Sequence, residues 1–257
     1  MAEHEKDVAE AFDRRAEAFQ TRPVQSDPVL LAWLLQAADL PPGSLVLDAG
    51  CGPGLVSEAL LAAGHRVVGV DLSAGMIERA RARCGRFGNR ATFHQQSIAE
   101  ALPEGPFDAV LSRFVVHHVP DALAFMRRQV ELVRPGGVVV ACDHTTTPDE
   151  AAAAWQHDLE SRRDHTHTRS LSPGQLLDTL AAAGLSHLWL VEHPFMLDFD
   201  EWFDAGTPVA AKAEVRQRLL SGQLHRSFRP EPLSDGRVRI HGWLAVARGV
   251  RPLSPVS

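Results

Sequence analysis

Tyrosine is absent from this 257-residue chain. With no phenol available, buried hydrogen bonding or proton transfer of that kind falls to histidine, serine or threonine. The thirteen histidines are the obvious supply. Cysteine is scarce: Cys51, Cys84 and Cys142 stand far apart with no CxxC spacing. That excludes a zinc knuckle and a disulfide framework, and it fits a reducing compartment. A basic excess is lacking too. The formal net charge of −6 gives no bulk field that favours nucleic acid or an anionic membrane. The arginines of "RARCGRFGNR" read as a solvated helix face running into a loop. No apolar run reaches the ~20 residues a membrane helix needs. The stretch "MAEHEKDVAEAFDRRAEAF" is charged throughout, without the apolar segment of a signal peptide. These absences point to a cytoplasmic protein.

What is present is an ordinary globular composition, 45% hydrophobic and 23% charged, at a length that suits one α/β domain with additions. Val8, Phe12, Ala16 and Phe19 fall on one stripe of an amphipathic helix. "SDPVLLAWLLQAA" predicts a second helix, with Ser26 or Asp27 as its cap and Pro28 in its first turn, stopped by "LPPG". From residue 44 the pattern changes. "SLVLDAG", "HRVVGVD", "ATFH", "FDAVLS" and "GVVVACD" read as buried strands. Helices "LVSEALLAAG", "SAGMIERARARC" (capped by Ser73) and "DALAFMRRQVELVR" lie among them. Strand and helix alternating at this spacing imply right-handed crossovers and a parallel sheet covered on both faces. After Asp143 the rhythm breaks. Residues 144–175 are polar and helix-prone in the middle, and Ser172 and Pro173 begin another helix. "HLWLVEHPFML" and "RVRIHGWLAVAR" are strand candidates, separated by residues 198–236, which read as helical around "KAEVRQRLL". With no repeat and no linker, a single domain is expected. It comprises an N-terminal helical cap (1–40), a ligand-binding core (44–143), a lid and helix (144–185), and C-terminal strands (186–248) that enclose the 198–236 insertion.

The sharpest motif is "VLDAGCGPG". It places Asp48 at a strand end and Gly50, Gly52 and Gly54 in the turn that opens a helix, where a ligand can approach main-chain atoms closely. A dinucleotide site prefers G-x-G-x-x-G and a helix terminus facing a pyrophosphate. Here the spacing is G-x-G-x-G, and a carboxylate facing that crevice repels a pyrophosphate while favouring an ammonium group. Asp71 ends the next strand, where an acid can accept both ribose hydroxyls. A ligand with an amino-acid head and an adenosine tail satisfies both carboxylates; NAD satisfies only one.

"VLDAGCGPG", "VVGVDLSAGMIERAR", "FDAVLSRFVVHHVPD" and "LVRPGGVVV" together resemble the successive motifs of the class I S-adenosylmethionine-dependent methyltransferases. The branch they resemble holds the ubiquinone/menaquinone-biosynthesis and natural-product small-molecule enzymes. The resemblance spans about residues 44–143. It implies a Rossmann-like, seven-stranded, mostly parallel sheet with an antiparallel last strand, helices on both faces and a helical lid. Carried over residue by residue, it places Asp48, Gly50, Gly52 and Gly54 at the methionine and ribose portion of S-adenosylmethionine. Asp71 takes the ribose hydroxyls, with Leu72, Met76 and Ile98 beside the adenine and Ser112 and Arg113 at the end of the fourth strand. Two departures stand out. The family usually has an acid at the slot of Ser97, so Ser97 or Gln96 must meet the adenine amino group; and Phe19 stands where relatives often carry a tyrosine near the cofactor carboxylate.

The loop "RFVVHHVPD" leaves the edge of the sheet where open α/β folds bind ligands. A hydroxyl that attacks a methyl sulfonium must lose its proton, and a histidine within reach can take it at cell pH. Some sugar O-methyltransferases of the resembled branch use the first histidine of such a pair with an acid after the fifth strand. The matching residues here are His117 and Asp143, with His144 as a substitute. A packing or cofactor-contact role for His117 stays open beside this, and His118 is expected to be mainly structural. "RDHTHTR" lacks metal-ligand spacing, so no functional metal is expected. Arg162, Arg163, His165, His167 and Arg169 could instead rim an acceptor pocket, or form a solvated face. Trp155 and Trp202 are pocket candidates, whereas Trp189 and Trp243 read as core. The expectation is methyl transfer to a small molecule in secondary metabolism, first to oxygen, then to carbon or nitrogen. Nucleic acid and protein acceptors are disfavoured, and a homodimer is left open. An NAD-dependent oxidoreductase conflicts with Asp48; a protein that binds S-adenosylmethionine without transferring its methyl does not.

Overall fold

The protein is described here by a computed structural model covering residues 2–16, 27–102, 104–222 and 227–253. The sheet is built outward from β1 (Leu45–Ala49). To one side lie β2 (Arg66–Asp71) and β3 (Ala91–Gln95); to the other lie β4 (Phe107–Arg113) and β5 (Val133–His144), all parallel. The order β3-β2-β1-β4-β5-β8-β6 is completed by β6 (Ser186–Asp198) and β8 (Val238–Val250), which runs antiparallel to both of its neighbours. Chain direction therefore switches sides between β1 and β4. The crevice above the carboxyl ends of those strands is where such sheets receive ligands.

Period-2 alternation divides the strands' side chains between two cores. Val46, Val67 and Val140 pack with α2 (Pro28–Ala38), α3 (Leu55–Ala62) and α4 (Ala74–Cys84) through Leu30, Leu34, Leu60, Leu61, Ile77 and Ala80. Their sequence neighbours Leu47, Val68 and Val139 face α5 (Ala122–Leu132) and α7 (Pro173–Ala182) through Met126, Leu176 and Leu180. The caps are local chemistry. Asp27, rather than Ser26, which lies outside the described residues, accepts from the amides of Val29 and Leu30. Ser73 accepts from Met76, and Ser172 forms a capping box with Gln175.

An eighth strand departs from the seven expected. β8 overhangs β5: its pairing with β5 runs only from Val250 back to Leu244. Beyond that point, β7 (Phe228–Pro232) takes β5's place alongside Val238–Gly242. Pro230 and Pro232 conceal this strand in the sequence, and proline is tolerated there because β7 is an edge. The overhang carries a third core formed by α6 (Glu150–Arg163), α8 (Phe199–Asp204) and α9 (Lys212–Ser221), centred on Leu159, Phe199, Trp202, Phe203, Leu219, Phe228 and Ile240. α1 (Ala2–Arg15) lies against α4, where the Asp13 carboxylate accepts from the Ser73 hydroxyl at 2.5 Å and the Gly75 amide at 2.9 Å.

Candidate active site

The turn after β1 passes through Gly50, Gly52 and Gly54, each with positive φ. A Cβ on Gly50 would lie 2.4 Å from Val115 Cγ2, and one on Gly52 would project into open space in the cleft itself. This cleft, of about 250 Å³, is walled by Asp48, Gly50, Gly52, Asp71, Leu72, Met76, Gln96, Ser97, Ile98 and Arg113. Gly54 sits behind it against Ala80. Ser112 is buried below it and lines neither cavity described here. Phe19 lies outside the described residues. The other wall is α1, through His4, Glu5, Val8 and Phe12, a contribution that the helix's amphipathic stripe alone did not indicate.

The two carboxylates differ in their environment. Asp71 accepts the Gly52 amide at 2.8 Å and the Ser73 amide at 3.0 Å, one on each oxygen, which leaves a lone pair on each for a diol. Burial raises its pKa, against the pull of those two amides. Asp48 is 1% exposed and accepts the Ser57 hydroxyl at 2.6 Å. Burial pushes its pKa to about 6, opposed by Ser57 and Arg113. A carboxylate so penalised gains from a cation placed beside it. The floor opened at Gly52, the diol acceptor and the buried acid fit the head, ribose and tail of S-adenosylmethionine. Cys51, within the loop, has its thiol pKa raised well above normal by burial and by Asp71 and Asp48, so it is no nucleophile.

The chain leaves β4 through Phe114 and makes a short 3-10 turn at Val116–His118. His117 Nδ1 lies 2.5 Å from Asp143 Oδ1, and its main-chain N–H donates to Oδ2 at 3.1 Å. Oδ1 also accepts the His144 amide at 2.7 Å. Burial opposes the charged imidazolium, but the Asp143 carboxylate outweighs it, so the His117 pKa is raised. Burial likewise works against the Asp143 carboxylate, and its bond to His117 more than compensates, lowering its pKa. The neighbouring imidazoles are kept neutral: burial and His117 depress His144 to about 3 and His167 to about 2. His118 is pushed well below its usual value by burial and by His117. Its Nδ1 meets the Thr166 carbonyl at 3.1 Å and hydroxyl at 3.0 Å, while its ring stands edge-on to Phe12.

His117 faces a second cavity of about 490 Å³, and with Nδ1 engaged by Asp143 its Nε2 is the nitrogen left for a ligand there. The two cavities share Phe12, Phe114 and His118 as walls. His117 thus lines the second cavity rather than the cofactor cleft. His144, His167 and Trp202 line it as well. Trp155 does not; it packs on Phe228 and over Gly222. His165 is exposed, beside the Thr207 carbonyl. The basic run divides: Arg163, paired with Glu160, and His167 line the second cavity, whereas Arg162 pairs with Asp158 and Glu214 and Arg169 is exposed. Sequence reasoning missed Arg15, Gln156, Glu160, Asp164, Phe195, Phe228 and Trp243, which also line this cavity, together with the acidic residues Asp200, Glu201 and Asp204 of α8. Trp243 in particular belongs to the cavity rather than to the core.

Comparison with known proteins agrees with this geometry. The sequence profile described as "Methyltransferase domain" matches residues 22–188. A ubiquinone biosynthesis O-methyltransferase of Xanthomonas campestris is 35% identical over 166 residues, 62% of this chain and 69% of that protein. Among solved structures, the YcgJ protein of Bacillus subtilis superposes with a TM-score of 0.78 at 20% identity, covering 86% of this chain and 97% of its own. Magnesium protoporphyrin IX methyltransferase of Synechocystis PCC 6803, with bound S-adenosylhomocysteine, superposes with a TM-score of 0.58 at 20% identity, covering 96% and 99%. At that identity the two structures speak for the fold, and the profile match speaks for the family. The chain belongs to the methyltransferase-domain family and is a class I S-adenosylmethionine-dependent methyltransferase.

Proposed function

We propose that this enzyme methylates a hydroxyl oxygen of a small natural-product-like molecule, held in the larger cavity, with His117 as the general base. The observation that carries the reading is the His117–Asp143 pair: one imidazole nitrogen is fixed by a buried carboxylate, in a ring that lines the second cavity beside His118, a wall which that cavity shares with the cofactor cleft. When bound, S-adenosylmethionine supplies a methyl group activated by its sulfonium. The protein's own contribution is alignment and proton removal. Asp143 holds His117 in the Nδ1–H tautomer, so the Nε2 lone pair takes the hydroxyl proton as the oxygen attacks. Phe114, Phe195, Trp202, Phe228 and Trp243 give the cavity flat apolar surfaces suited to a ring-bearing acceptor, beside the charged Arg15, Glu160, Arg163 and Asp164. Fixing both reactants across one shared wall removes much of the entropic barrier to a bimolecular displacement. The naming of the Xanthomonas relative as an O-methyltransferase supports oxygen over carbon or nitrogen.

The test is transfer of labelled methyl from S-adenosylmethionine to a panel of phenols, sugars, quinols and amines, with wild type and His117→Ala side by side. The expected result is label on a hydroxyl oxygen and a loss of about 10²-fold or more in the variant, with S-adenosylhomocysteine affinity unchanged. Label on carbon or nitrogen, or full activity in the variant, would overturn the reading.

A further inference from the structure

α1 brings to the cofactor cleft a carboxylate that the loop after β3 does not supply. At Ser97 this chain has a hydroxyl, and that hydroxyl donates to Glu5 Oε1 at 2.8 Å. Glu5 is half-buried and lines the cleft at the end occupied by Gln96, Ser97 and Ile98. Its second oxygen has no partner among the described residues. The other polar groups at this end of the loop are committed, the Gln96 side-chain oxygen and the Ile98 amide apart. The Ser97 amide donates to Glu100, the Ala99 amide to Ser97 Oγ, and the Gln96 side-chain amide to the Ala101 carbonyl. Arg128 is occupied by the carbonyls of Ile98 and Glu100 and by Glu131. The Ile98 amide, beside Ser97, donates to no group among the described residues. Leu72, Met76 and Phe125 supply apolar surface for a flat ring.

We propose that Glu5 is the acid that reads the adenine of the cofactor. Its carboxylate accepts from the exocyclic amino group while the Ile98 N–H donates to the adjacent ring nitrogen. Ser97 acts as a positioning residue, holding Glu5 in place across the gap between α1 and the loop. Asp71 fixes the ribose at the near side, so the base extends toward this end of the cleft. The arrangement discriminates: hypoxanthine presents an oxygen to the Glu5 carboxylate and an N–H to the Ile98 N–H, a mismatch at both positions. The proposal rests on the family's cofactor and on no particular acceptor, so it stands or falls separately from the O-methylation reading.

The test is calorimetric binding of S-adenosylhomocysteine and of its inosine counterpart to wild type, Glu5→Gln, Glu5→Ala and the double variant Glu5→Ala/Ser97→Asp. A hydrogen bond to a charged acceptor predicts that Glu5→Ala weakens the adenine ligand about 10-fold or more and leaves the inosine ligand nearly unchanged. Glu5→Gln, which keeps the side chain's shape, is expected to narrow the preference because its amide can turn an N–H toward the inosine oxygen. Ser97→Asp in the Glu5→Ala background is expected to restore the adenine preference by returning an acid to the loop. Equal weakening of both ligands in Glu5→Ala would overturn the proposal, because it would make Glu5 only a tether for α1. An unchanged preference in both Glu5 variants would overturn it as well.

Discussion

Asp143→Asn changes the histidine site by one atom type while preserving its shape. The carboxylate accepts three N–H groups, from His117 Nδ1 at 2.5 Å, His144 N at 2.7 Å and His117 N at 3.1 Å. An asparagine oxygen can keep the first two, but its amide then points an N–H at the His117 main-chain N–H. Both partners are buried, at 9% and 4% exposure, so solvent offers little compensation. Breaking a buried charged pair costs about 3–5 kcal/mol, and the hydrogen bonds retained by asparagine place this case near ~3 kcal/mol. At ~2–4 °C per kcal/mol for a chain of this size, the midpoint of thermal unfolding should fall by roughly 6–12 °C.

The sign of the pH dependence follows from the two shifts. His117 has a raised pKa in the folded state, so its contribution is full below ~6.5 and is lost as pH rises through the folded value. Asp143 has a lowered pKa, so its contribution is present above ~4 and is lost as pH falls through the folded value. The gap between wild type and variant should therefore be wider at about pH 5.5 than at about pH 9. The asparagine amide can also turn so that its N–H donates to Nδ1, which puts the imidazole proton on Nε2, and that nitrogen can then no longer accept. The expected loss of methyl transfer is about 10²–10⁴-fold, with cofactor affinity intact. Thermal melts at the two pH values and ¹⁵N shifts of the His117 ring, assigned with His117→Ala, measure both effects. A gap that is equal at the two pH values or wider in alkali, together with an unchanged His117 titration, would refute the reasoning.

Three further outcomes are expected. Gly50→Ala puts a Cβ 2.4 Å from Val115 Cγ2 at a φ of +75°, and calorimetry should show S-adenosylhomocysteine binding weakened at least ~10-fold; unchanged affinity would separate this loop from the cofactor. Asp164→Asn disrupts the buried bond from Arg15 at 2.6 Å, at a cost of about 3–5 kcal/mol. Burial opposes the Asp164 carboxylate, but Arg15 and His118 outweigh it and hold its pKa low, so the difference in melting temperature should shrink as pH falls below ~4; a difference that persists in acid would contradict the assignment. Trp202→Ala should cost about 3–5 kcal/mol and Trp155→Ala, at a half-buried site, less, yet only the Trp202 change should raise KM for whichever panel acceptor is methylated, because only Trp202 lines the cavity.

How much of this was legible in the sequence depended on whether the relevant signal is local. Asp48, the glycine turn and Asp71 are written within one strand–turn–helix–strand unit, and the structure sets all of them in or beside one cleft. Ser73 and Ser172 announced their helices for the same reason: a cap bonds only to its own first turn. The second cavity drew on α1, α6, α8, β6, β7 and β8, whose meeting is fixed by the overhang of β8, and no run of residues encodes that. Phe12 sits on a regular apolar stripe, and a stripe records burial without saying whether the buried face meets a core or a cavity; Trp243 falls on the face of β8 opposite to its apolar stripe, among Arg239 and His241. The basic run divides because successive residues of a helix face different sides: Arg163 lines the cavity, while Arg162 pairs with Asp158 one turn back and with Glu214 on α9.

α1 shows why that ambiguity matters for the chemistry. A 14-residue helix is marginal in isolation, so its position here is set by what it bonds to. Asp13 ties its last turn to the start of α4, His4 meets the His118 carbonyl at 2.7 Å, and Arg15 reaches both Asp164 and the Ala205 carbonyl. Those ties hold Glu5 and Val8 over the cofactor cleft, place Arg15 in the acceptor cavity and make Phe12 a wall of both. A group that passes from one cavity to the other must therefore cross beside Phe12, Phe114 and His118. The His117 ring centroid lies 4.1 Å from that of His118. His117 thus stands next to the wall that the two cavities share, where the proposed base would have to be for an acceptor oxygen to lose its proton as it receives the methyl.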